Sequence, residues 1–162
     1  MTSSPAPEEA ARSATAADLD ALAALVDEAA AEKRSQKGGE LWWRRERRQG
    51  HAAADLAALL GSPDHEVAVG TIDGAAVGYG VVRRERLADG GQLGVIEDIY
   101  VDPGARAVGV GEALMEHLLA WCRGQGCFGV DSLALPGDRS TKNFFESFGL
   151  VARAIVVHRP LG

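Results

Sequence analysis

The sequence has little that could cross-link a fold covalently or hold a metal ion. Its 162 residues, the length of one ordinary domain, contain two cysteines and four histidines. Cys122 and Cys127 are spaced neither as a disulfide framework nor as a zinc site, and the histidines form no pair at metal-ligand spacing. We therefore expect free thiols, no metal site and a fold stabilised by its hydrophobic core.

The sequence also lacks the features of membrane, secreted and nucleic-acid-binding proteins. No apolar run approaches the ~20 residues that cross a bilayer, and the N-terminus, MTSSPAPEEAARSAT, lacks the basic and apolar regions of a secretory signal. A net charge of −6 argues against a nucleic-acid partner. We therefore expect a cytoplasmic protein with no membrane partner, in which a poorly ordered tail, residues 1–14, precedes one domain, residues 15–162.

The most informative stretch, residues 95–126, changes from strand to helix periodicity near residue 108. The first turn of a helix has backbone N–H groups without intrahelical partners, and the helix dipole adds positive charge there. Gly109 and Gly111 would let a phosphate approach without a Cβ in the way. The stretch therefore predicts an anion-binding loop between a strand and a helix.

The glycine pattern excludes two common nucleotide-binding loops. A Rossmann fingerprint would need a third glycine where Leu114 stands, and a Walker loop would need Gly-Lys-Ser/Thr, which the sequence lacks. The remaining pattern is Arg106-x-x-Gly109-x-Gly111. It resembles the coenzyme A pyrophosphate loop of the GNAT (Gcn5-related N-acetyltransferase) superfamily, in which the pattern is Gln/Arg-x-x-Gly-x-Gly/Ala.

A second segment, LPGDRSTKNFFESFGLVAR, resembles the other GNAT signature, in which an Asn-x-x-Ala/Ser region precedes a short helix with Phe-Tyr-Glu-x-x-Gly-Phe. Asp138 stands for the Asn, Thr141 for the small residue, and Asn143 precedes the aromatic pair. The segment departs from the family at Phe145, because many members have a tyrosine there that protonates the departing thiolate. Two motifs in the right order strengthen the resemblance.

The periodicity of the whole chain is compatible with this fold. Asp73-Gly74 predicts a hairpin turn, and Gly78 and Gly80 indicate a bulge or a close backbone approach within a strand. The resemblance implies an α/β, more narrowly α+β, fold with a mixed, mostly antiparallel central sheet and about four helices. The predicted strands are residues 12–14, 66–72, 75–86, 95–101, 127–135 and 151–158, and the predicted helices are 15–33, 51–60, a segment beginning near 108, and 140–148.

The resemblance implies acetyl-CoA as the cofactor. Backbone N–H groups of residues 107–111 would take the pyrophosphate, Arg106 would add charge, and the pantetheine arm would pair with the central strand. Glu112 is unusual, since many relatives have Arg or Lys there. The expected cofactor-binding residues are Ile99, Tyr100, Val101, Arg106, Ala107, Val108, Gly109, Val110, Gly111, Glu112, Asn143 and Phe145.

Acyl transfer to an amine needs a base, because an ammonium group with a pKa of about 10 must lose a proton before it attacks. The strand IEDIYV, residues 96–101, is similar to the Leu/Ile-Glu-Asp-x-x-Val strand of diamine acetyltransferases, in which the glutamate is the base. The resemblance implies that role for Glu97, and the alternative is a plain exposed strand residue. Asp98 would be a structural partner or hold a cationic acceptor. Adjacent strand carboxylates point to opposite faces unless a bulge intervenes.

The identity of the general acid stays open at this point. Tyr100 could donate the proton or simply pack in the core, and water or His158 are alternatives. Trp42 and Trp43 lie in an unusually basic segment, residues 33–48. This segment is either a solvated connector whose tryptophans pack on the core or a wall of the acceptor pocket.

The predicted function is therefore that of an N-acetyltransferase, which transfers an acetyl group from acetyl-CoA to the primary amine of a small molecule. The expected site has Glu97, Asp98 and Tyr100 as catalytic residues, and Trp42, Trp43 and the two carboxylates at the acceptor. The alternatives are acetylation of a protein N-terminus or lysine, and a non-catalytic acyl-CoA-binding module. A homodimer is an expectation from the family.

Overall fold

The computed structural model describes residues 3–48, 51–106 and 108–162. Within them, five strands form one sheet in the order β1-β2-β3-β4-β5, and five α-helices flank it. The strands are β1 Glu9–Ser13, β2 His65–Ile72, β3 Ala75–Arg86, β4 Gln92–Val101 and β5 Gly129–Ser132. The helices are α1 Leu19–Arg34, α2 Gly39–Arg45, α3 Ala52–Leu60, α4 Val110–Gly124 and α5 Arg139–Ser147.

The sheet is mixed and mostly antiparallel, as predicted. Strands β1 to β4 pair antiparallel, and among the described strands only β4 and β5 pair in parallel, across the connection through α4. The β2–β3 hairpin turns at Asp73 and Gly74, both at positive φ, which is the conformation that an Asp-Gly type I′ turn requires. The α+β architecture is therefore confirmed, with five α-helices in the described residues instead of about four.

Two hydrophobic cores lie on opposite faces of the sheet, because successive strand residues point to opposite sides. Helices α1 and α3 cover one core, which contains Val81, and α4 covers the other, which contains Val82. A methyl group on Gly80 would lie 2.8 Å from Leu118 of α4. The predicted close approach at the strand glycines is thus confirmed: the missing side chain lets α4 pack directly on the sheet.

Three sequence predictions need correction. The short strand predicted at residues 12–14, in an otherwise poorly ordered tail, is present but begins earlier: β1 runs from Glu9 to Ser13, because residues 9–13 pair with β2. Strand β5 has only four residues, ending at Ser132. The predicted terminal strand, residues 151–158, is wrong for the single chain, because no described strand pairs with it.

The two thiols behave as the sequence predicts. Cys122 and Cys127 are both free, and Cys122, on the inner face of α4, is buried in the core. Burial raises the pKa of the Cys122 thiol to about 12, so it is protonated and unreactive near neutral pH. Across the described ranges, no helix combines the length and the apolar character that crossing a bilayer requires.

Candidate active site

A β-bulge in β4 brings both predicted catalytic carboxylates to one place. Val81 of β3 pairs with Asp98, and the next residue, Val82, pairs with Ile96, so Glu97 is the extra residue of the bulge. In a regular strand, adjacent side chains would point to opposite faces. The bulge removes that restriction, and both carboxylates contact the same arginine.

That arginine is Arg48, at the end of the basic segment. Its Nε atom lies 2.7 Å from Oδ2 of Asp98, its Nη2 atom 2.9 Å from Oε2 of Glu97, and its Nη1 atom 3.1 Å from Oδ2 of Asp55. Burial alone would lower the pKa of Arg48, but the charges of Asp98 and Glu97 outweigh it, so the pKa is raised. Arg48 was not among the predicted site residues, and the only sequence signal for it was the density of basic residues around it.

The two carboxylates differ in their other contacts. Oε1 of Glu97 lies 3.1 Å from Nε of Arg83, and the Glu97 side chain is 27% exposed. Asp98 is 15% exposed and shares a hydrogen bond with the hydroxyl of Tyr79, whose pKa is raised well above its usual value, mainly by burial. Asp98 is therefore the more structural of the pair, and Glu97 is the more accessible.

Strands β4 and β5 separate after a short parallel ladder. The last pair joins Ile96 and Ser132, and the Ser132 hydroxyl donates to the Ile96 carbonyl oxygen over 3.2 Å. Beyond it, no described strand pairs with this edge of β4, although the other edge remains paired with β3 as far as Val101. The open edge, residues 97–101, lies along a cleft of about 380 Å³.

The glycine loop, where α4 begins, forms part of the cleft wall. Gly109 is the N-cap of α4 at φ 91°, a conformation that glycine adopts at little cost, and both Gly109 and Gly111 line the cleft. A methyl group on Gly111 would lie 3.4 Å from the ring of Phe144, an ordinary van der Waals distance, so Gly111 lies directly against α5. Ala107, one of the predicted pyrophosphate ligands, lies outside the described residues.

Val108 and Val110, both in the predicted loop, differ in the burial of their side chains. Val110 is fully buried in the core, so only its backbone could bind a ligand. Val108 is 37% exposed. Neither side chain could bind an anion at the predicted site, so any binding there would depend on backbone N–H groups and on neighbouring charges.

Arg106 contacts β4, α1 and Tyr100, partners that its place in the loop motif does not predict. Its Nε atom donates to the Val101 carbonyl oxygen over 2.8 Å, and its Nη2 atom lies 2.7 Å from Oε2 of Glu32 in α1. Its guanidinium carbon is 5.3 Å from the centre of the Tyr100 ring. Arg106 thus ties the loop to α1 and shares its charge with a carboxylate, which reduces the charge available to a phosphate.

Two carboxylates flank the start of α4. A methyl group on Gly109 would lie 3.5 Å from the carboxyl carbon of Glu9, so the β1 side chain reaches this turn. Glu112, in the first helical turn, is exposed and lines the cleft. Acidic groups stabilise a helix start through the dipole, but they repel any anion that binds there.

The aromatic and polar residues near α5 divide into two groups. Tyr100 and Phe145 line the cleft, and Phe145 is buried. Burial, followed by the charges of Glu32 and Glu28, raises the pKa of Tyr100. Asn143 is exposed on α5 and is not part of the cleft wall, so the structure does not bring it to the other predicted site residues.

The two tryptophans also have different positions. Trp42 is buried, lines the cleft, and has the ammonium of Lys33 4.8 Å from its ring centre. Trp43 does not line the cleft, and the guanidinium carbons of Arg34 and Arg47 lie 4.5 and 4.2 Å from its ring centre. The first tryptophan is therefore part of a pocket wall, and the second joins α1 to α2.

Comparison with known sequences decides the family of the chain. Residues 23–150 match the profile of a family described as the Acetyltransferase (GNAT) family. The chain belongs to the GNAT acetyltransferase family. The match covers most of this GNAT chain, from α1 to the end of α5, and confirms the resemblance inferred from the glycine loop and the α5 motif.

Two curated relatives of this GNAT protein act on different amines. Glucosamine 6-phosphate N-acetyltransferase 1 of Oryza sativa subsp. japonica is 39% identical over 107 residues, which are 62% of this chain and 61% of that protein. Aminoglycoside N(6')-acetyltransferase type 1 of Klebsiella aerogenes is 28% identical over 118 residues, 70% of this chain and 78% of that protein. The matches span only 52% to 62% of three glucosamine 6-phosphate N-acetyltransferases.

Solved structures share the fold across nearly the whole chain. Aminoglycoside N-acetyltransferase AAC(6')-Iy in complex with CoA has a TM-score of 0.77 at 16% identity, over 99% of this chain and 100% of that one. Glucosamine-6-phosphate N-acetyltransferase of Arabidopsis thaliana has a TM-score of 0.65 at 21% identity, over 96% and 99%. At these identities the likeness shows the GNAT fold alone.

Proposed function

We propose that this GNAT protein transfers an acetyl group from acetyl-CoA directly to the primary amine of a small molecule. The observation that carries the proposal is the open edge of β4, which runs from the carboxylate pair at Glu97 and Asp98 towards the glycine loop. An open strand edge can accept an extended chain as an added strand. The activities named for both curated relatives support the same reaction class.

The residues of the cleft fit acetyl-CoA. Backbone N–H groups from Val108 to Gly111 would hold the pyrophosphate, because they lie at the positive end of α4. Ile99 would hold the pantetheine arm through its backbone on the open edge, whereas the Val101 carbonyl oxygen already accepts from Arg106. Bound acetyl-CoA supplies an acetyl group activated as a thioester.

Glu97 is the base in this proposal. It is the more exposed of the two carboxylates, it lines the cleft, and the bulge directs it to the same side as Asp98. A base must lie within hydrogen-bond reach of the amine or of one bridging water. Two guanidinium groups, from Arg48 and Arg83, hold the Glu97 carboxylate in place.

Tyr100 donates the proton to the leaving group. Its raised pKa keeps the hydroxyl protonated near neutral pH, and its side chain lines the cleft. Phe145, at the position where many relatives have the acid, has no proton to give and completes an apolar wall with Phe144. Backbone N–H groups on the open edge of β4 are available to stabilise negative charge that develops on the acetyl oxygen.

We infer that the acceptor is an amine carried on a sugar. The names of both curated relatives specify such amines. A bare pair of carboxylates would favour a dicationic amine, but Arg48 and Arg83 already compensate the charges of Glu97 and Asp98. With Lys33 on the wall beside Trp42, the pocket suits an amino sugar better than a linear diamine.

The test is amine-dependent release of thiol from acetyl-CoA, measured with glucosamine 6-phosphate, an aminoglycoside, a polyamine and a lysine peptide. Glu97→Gln should abolish most of the turnover. The matched control is Glu85→Gln, because Glu85 also pairs with Arg83 but is not part of the cleft wall. The control should keep its activity.

Each outcome of this test is decisive. Release with an amino sugar that collapses only in Glu97→Gln supports the reaction, its base and its acceptor class. Full activity of Glu97→Gln would exclude Glu97 as the base. Release with the peptide alone would establish a protein acetyltransferase instead. Calorimetric binding of acetyl-CoA without turnover on any amine would favour the non-catalytic module.

A further inference from the structure

An ion pair links α1 to the loop that precedes α4, within the cleft. The Nη1 and Nη2 atoms of Arg106 lie 3.1 and 2.7 Å from the two carboxylate oxygens of Glu32. Both residues line the cleft, as do Glu97 and Tyr100. The hydrogen bond with Glu32 is the largest of the causes that raise the pKa of Arg106. Among the described residues, Glu32 is therefore the main ionic partner of Arg106.

Glu32 is poorly placed for the stability of its own helix. Helix α1 ends at Arg34, so Glu32 lies in the last turn, next to Lys33. The C-terminal end of a helix carries a partial negative charge, which favours cations such as Lys33 and Arg34 and disfavours a carboxylate. Glu32 is compensated instead by Arg106, seventy-four residues further along the chain. The carboxylate therefore depends on a cation that comes from outside α1.

Arg106 also contacts groups that bound acetyl-CoA would need. Its Nε atom donates to the Val101 carbonyl oxygen over 2.8 Å, at the last residue of the open edge of β4. Arg106 precedes Gly109, the N-cap of α4, by only three residues. A pyrophosphate at this helix start would attract the guanidinium, because arginine binds phosphate oxygens in a strong bidentate geometry. Cofactor binding therefore competes with the contacts of Arg106 to Val101 and Glu32.

The ion pair is exposed enough to be exchanged. The side chains of Arg106 and Glu32 are 42% and 39% exposed, and ion pairs at such positions contribute little to stability because water screens them. If the pyrophosphate binds Arg106, the guanidinium stays paired, but Glu32 loses its cation. The acceptor of the proposed reaction is a cation, because amines are protonated near neutral pH. The anionic cofactor and the cationic acceptor can therefore each take one member of the pair.

We propose that acetyl-CoA draws Arg106 away from Glu32, and that the freed Glu32 carboxylate binds an ammonium group of the acceptor. The reacting amine has to lose its proton to Glu97, so the ammonium that stays on Glu32 is a second one. The preferred acceptor is therefore an amino sugar with more than one amine. The identity of the acceptor rests on the proposed acetyl transfer, whereas the exchange of Arg106 concerns binding alone.

The exchange makes the binding of the two ligands cooperative. Each ligand removes one member of the ion pair, so the other ligand no longer has to break it. Such coupling is reciprocal, because the factor by which CoA tightens the binding of the amine equals the factor by which the amine tightens the binding of CoA. Because the pair is exposed, we expect a factor of about two to five.

The test is calorimetric binding of CoA and of kanamycin, an amino sugar with several ammonium groups, each measured with and without the other. CoA replaces acetyl-CoA so that no transfer takes place. Each ligand should tighten the binding of the other by about two- to fivefold. In Glu32→Gln, CoA alone should bind about two- to fivefold more tightly, because Arg106 is no longer occupied, and the coupling should disappear.

The matched control is Glu40→Gln, which removes the same charge from a pair with Arg34 outside the cleft wall. The CoA affinity and the coupling should be unchanged in this variant. Arg106→Met supplies a second control, because Glu32→Gln should tighten CoA binding in the unaltered protein and have no effect in Arg106→Met. Equal tightening in both backgrounds would reflect net charge alone and would overturn the exchange of Arg106.

Glucosamine, which has a single amine, tests the assignment of a second ammonium. CoA should not raise its affinity, and coupling as large as that of kanamycin would overturn the assignment. Coupling that persists in Glu32→Gln, or no coupling with kanamycin, would overturn the whole proposal. None of these measurements needs turnover, so their outcome is separate from that of the acetyl-transfer test. Coupling without transfer to any amine would support the exchange of Arg106 and overturn the proposed reaction.

Discussion

The Nε atom of Arg48 lies 2.7 Å from Oδ2 of Asp98, although fifty residues separate them in the chain. The contact is largely buried, with 12% exposure for Arg48 and 15% for Asp98, and the same guanidinium also holds Glu97. Removal of one partner of such a group leaves charges that burial penalises. Arg48 therefore determines both the stability of the carboxylate pair and the charge that an acceptor meets.

We predict that Arg48→Ala lowers the free energy of unfolding by about 2–4 kcal/mol, somewhat less than the ~3–5 kcal/mol lost on breaking a fully buried ion pair, because the side chains of the cluster keep 12–27% of their exposure. Urea unfolding measures this. The control is Arg84→Ala, because Arg84 pairs with Asp64 at a more exposed position and should cost less than about 1 kcal/mol. Equal losses in both variants would contradict the structural role of Arg48.

We predict that Glu97 acts mainly in catalysis and that Asp98 acts mainly in stability. Glu97→Gln should reduce kcat by about 10²–10⁴-fold, as expected for loss of a general base, and should cost less stability than Asp98→Asn, because Arg48 keeps Asp98 and Asp55 as partners. Asp98→Asn should mainly reduce stability, because Asp98 joins Arg48 and the buried Tyr79. Measurement of kcat and urea unfolding for both variants tests this assignment. A larger loss of kcat in Asp98→Asn than in Glu97→Gln would reverse it.

We predict that protonation of Asp18 lowers the free energy of unfolding in acid. A hydrogen bond from Arg12 lowers the pKa of Asp18 from 3.8 to about 2. Because the folded carboxyl has the lower pKa, its contribution is complete above the unfolded value of about 4 and is lost as the pH falls through about 2. The stability difference between the unaltered protein and Asp18→Asn should therefore shrink from pH 5 to pH 2.

The control for this pH profile is Asp20→Asn, which removes an exposed carboxylate of the same helix region. Its stability difference from the unaltered protein should vary less over the same range. If Asp18→Asn and Asp20→Asn gave parallel profiles from pH 5 to pH 2, the contact between Arg12 and Asp18 would not account for the acid sensitivity.

Local patterns in the sequence were sufficient for most of the fold. The Asp73-Gly74 turn, the strand periods around it and the glycine loop before α4 all depend on residues close together in the chain. The sequence did not predict the bulge at Glu97, because no glycine or proline marks it; it showed only that Glu97 and Asp98 could share a face if a bulge were present. It follows from the pairing of β3 with β4, which is a tertiary property.

The side-chain partners of the site depend on distant segments and could not be predicted. Arg48 meets carboxylates from α3 and β4, and Arg106 meets Glu32 of α1, seventy-four residues away. No periodic pattern connects such positions. Residues 151–158 were predicted as a strand from their β-branched residues, but a strand needs a partner as well as a propensity, and no described strand pairs with them.

The glycine at the start of α4 should be difficult to replace. Gly109 is at φ 91°, where any Cβ is unfavourable, so Gly109→Ala should cost about 1–2 kcal/mol. Gly124→Ala, at the other end of the same helix, meets no neighbour within 4 Å and should be neutral or stabilising by up to about 1 kcal/mol. Thermal unfolding compares the two. A tolerated alanine at position 109 would contradict the positive φ.

Glu112 should weaken cofactor binding, because its carboxylate lies in the first turn of α4 beside the proposed pyrophosphate site. We predict that Glu112→Lys tightens the binding of CoA by roughly three- to tenfold at low salt, while losing about 0.3–1 kcal/mol of stability through the helix dipole. The gain should fall in 1 M salt, where screening acts within about 3 Å. Glu116→Lys makes the same exchange at another exposed position of α4 and should have a smaller effect on calorimetric affinity. Equal gains in both variants would reflect net charge alone, and the pyrophosphate would then have to lie away from the start of this helix.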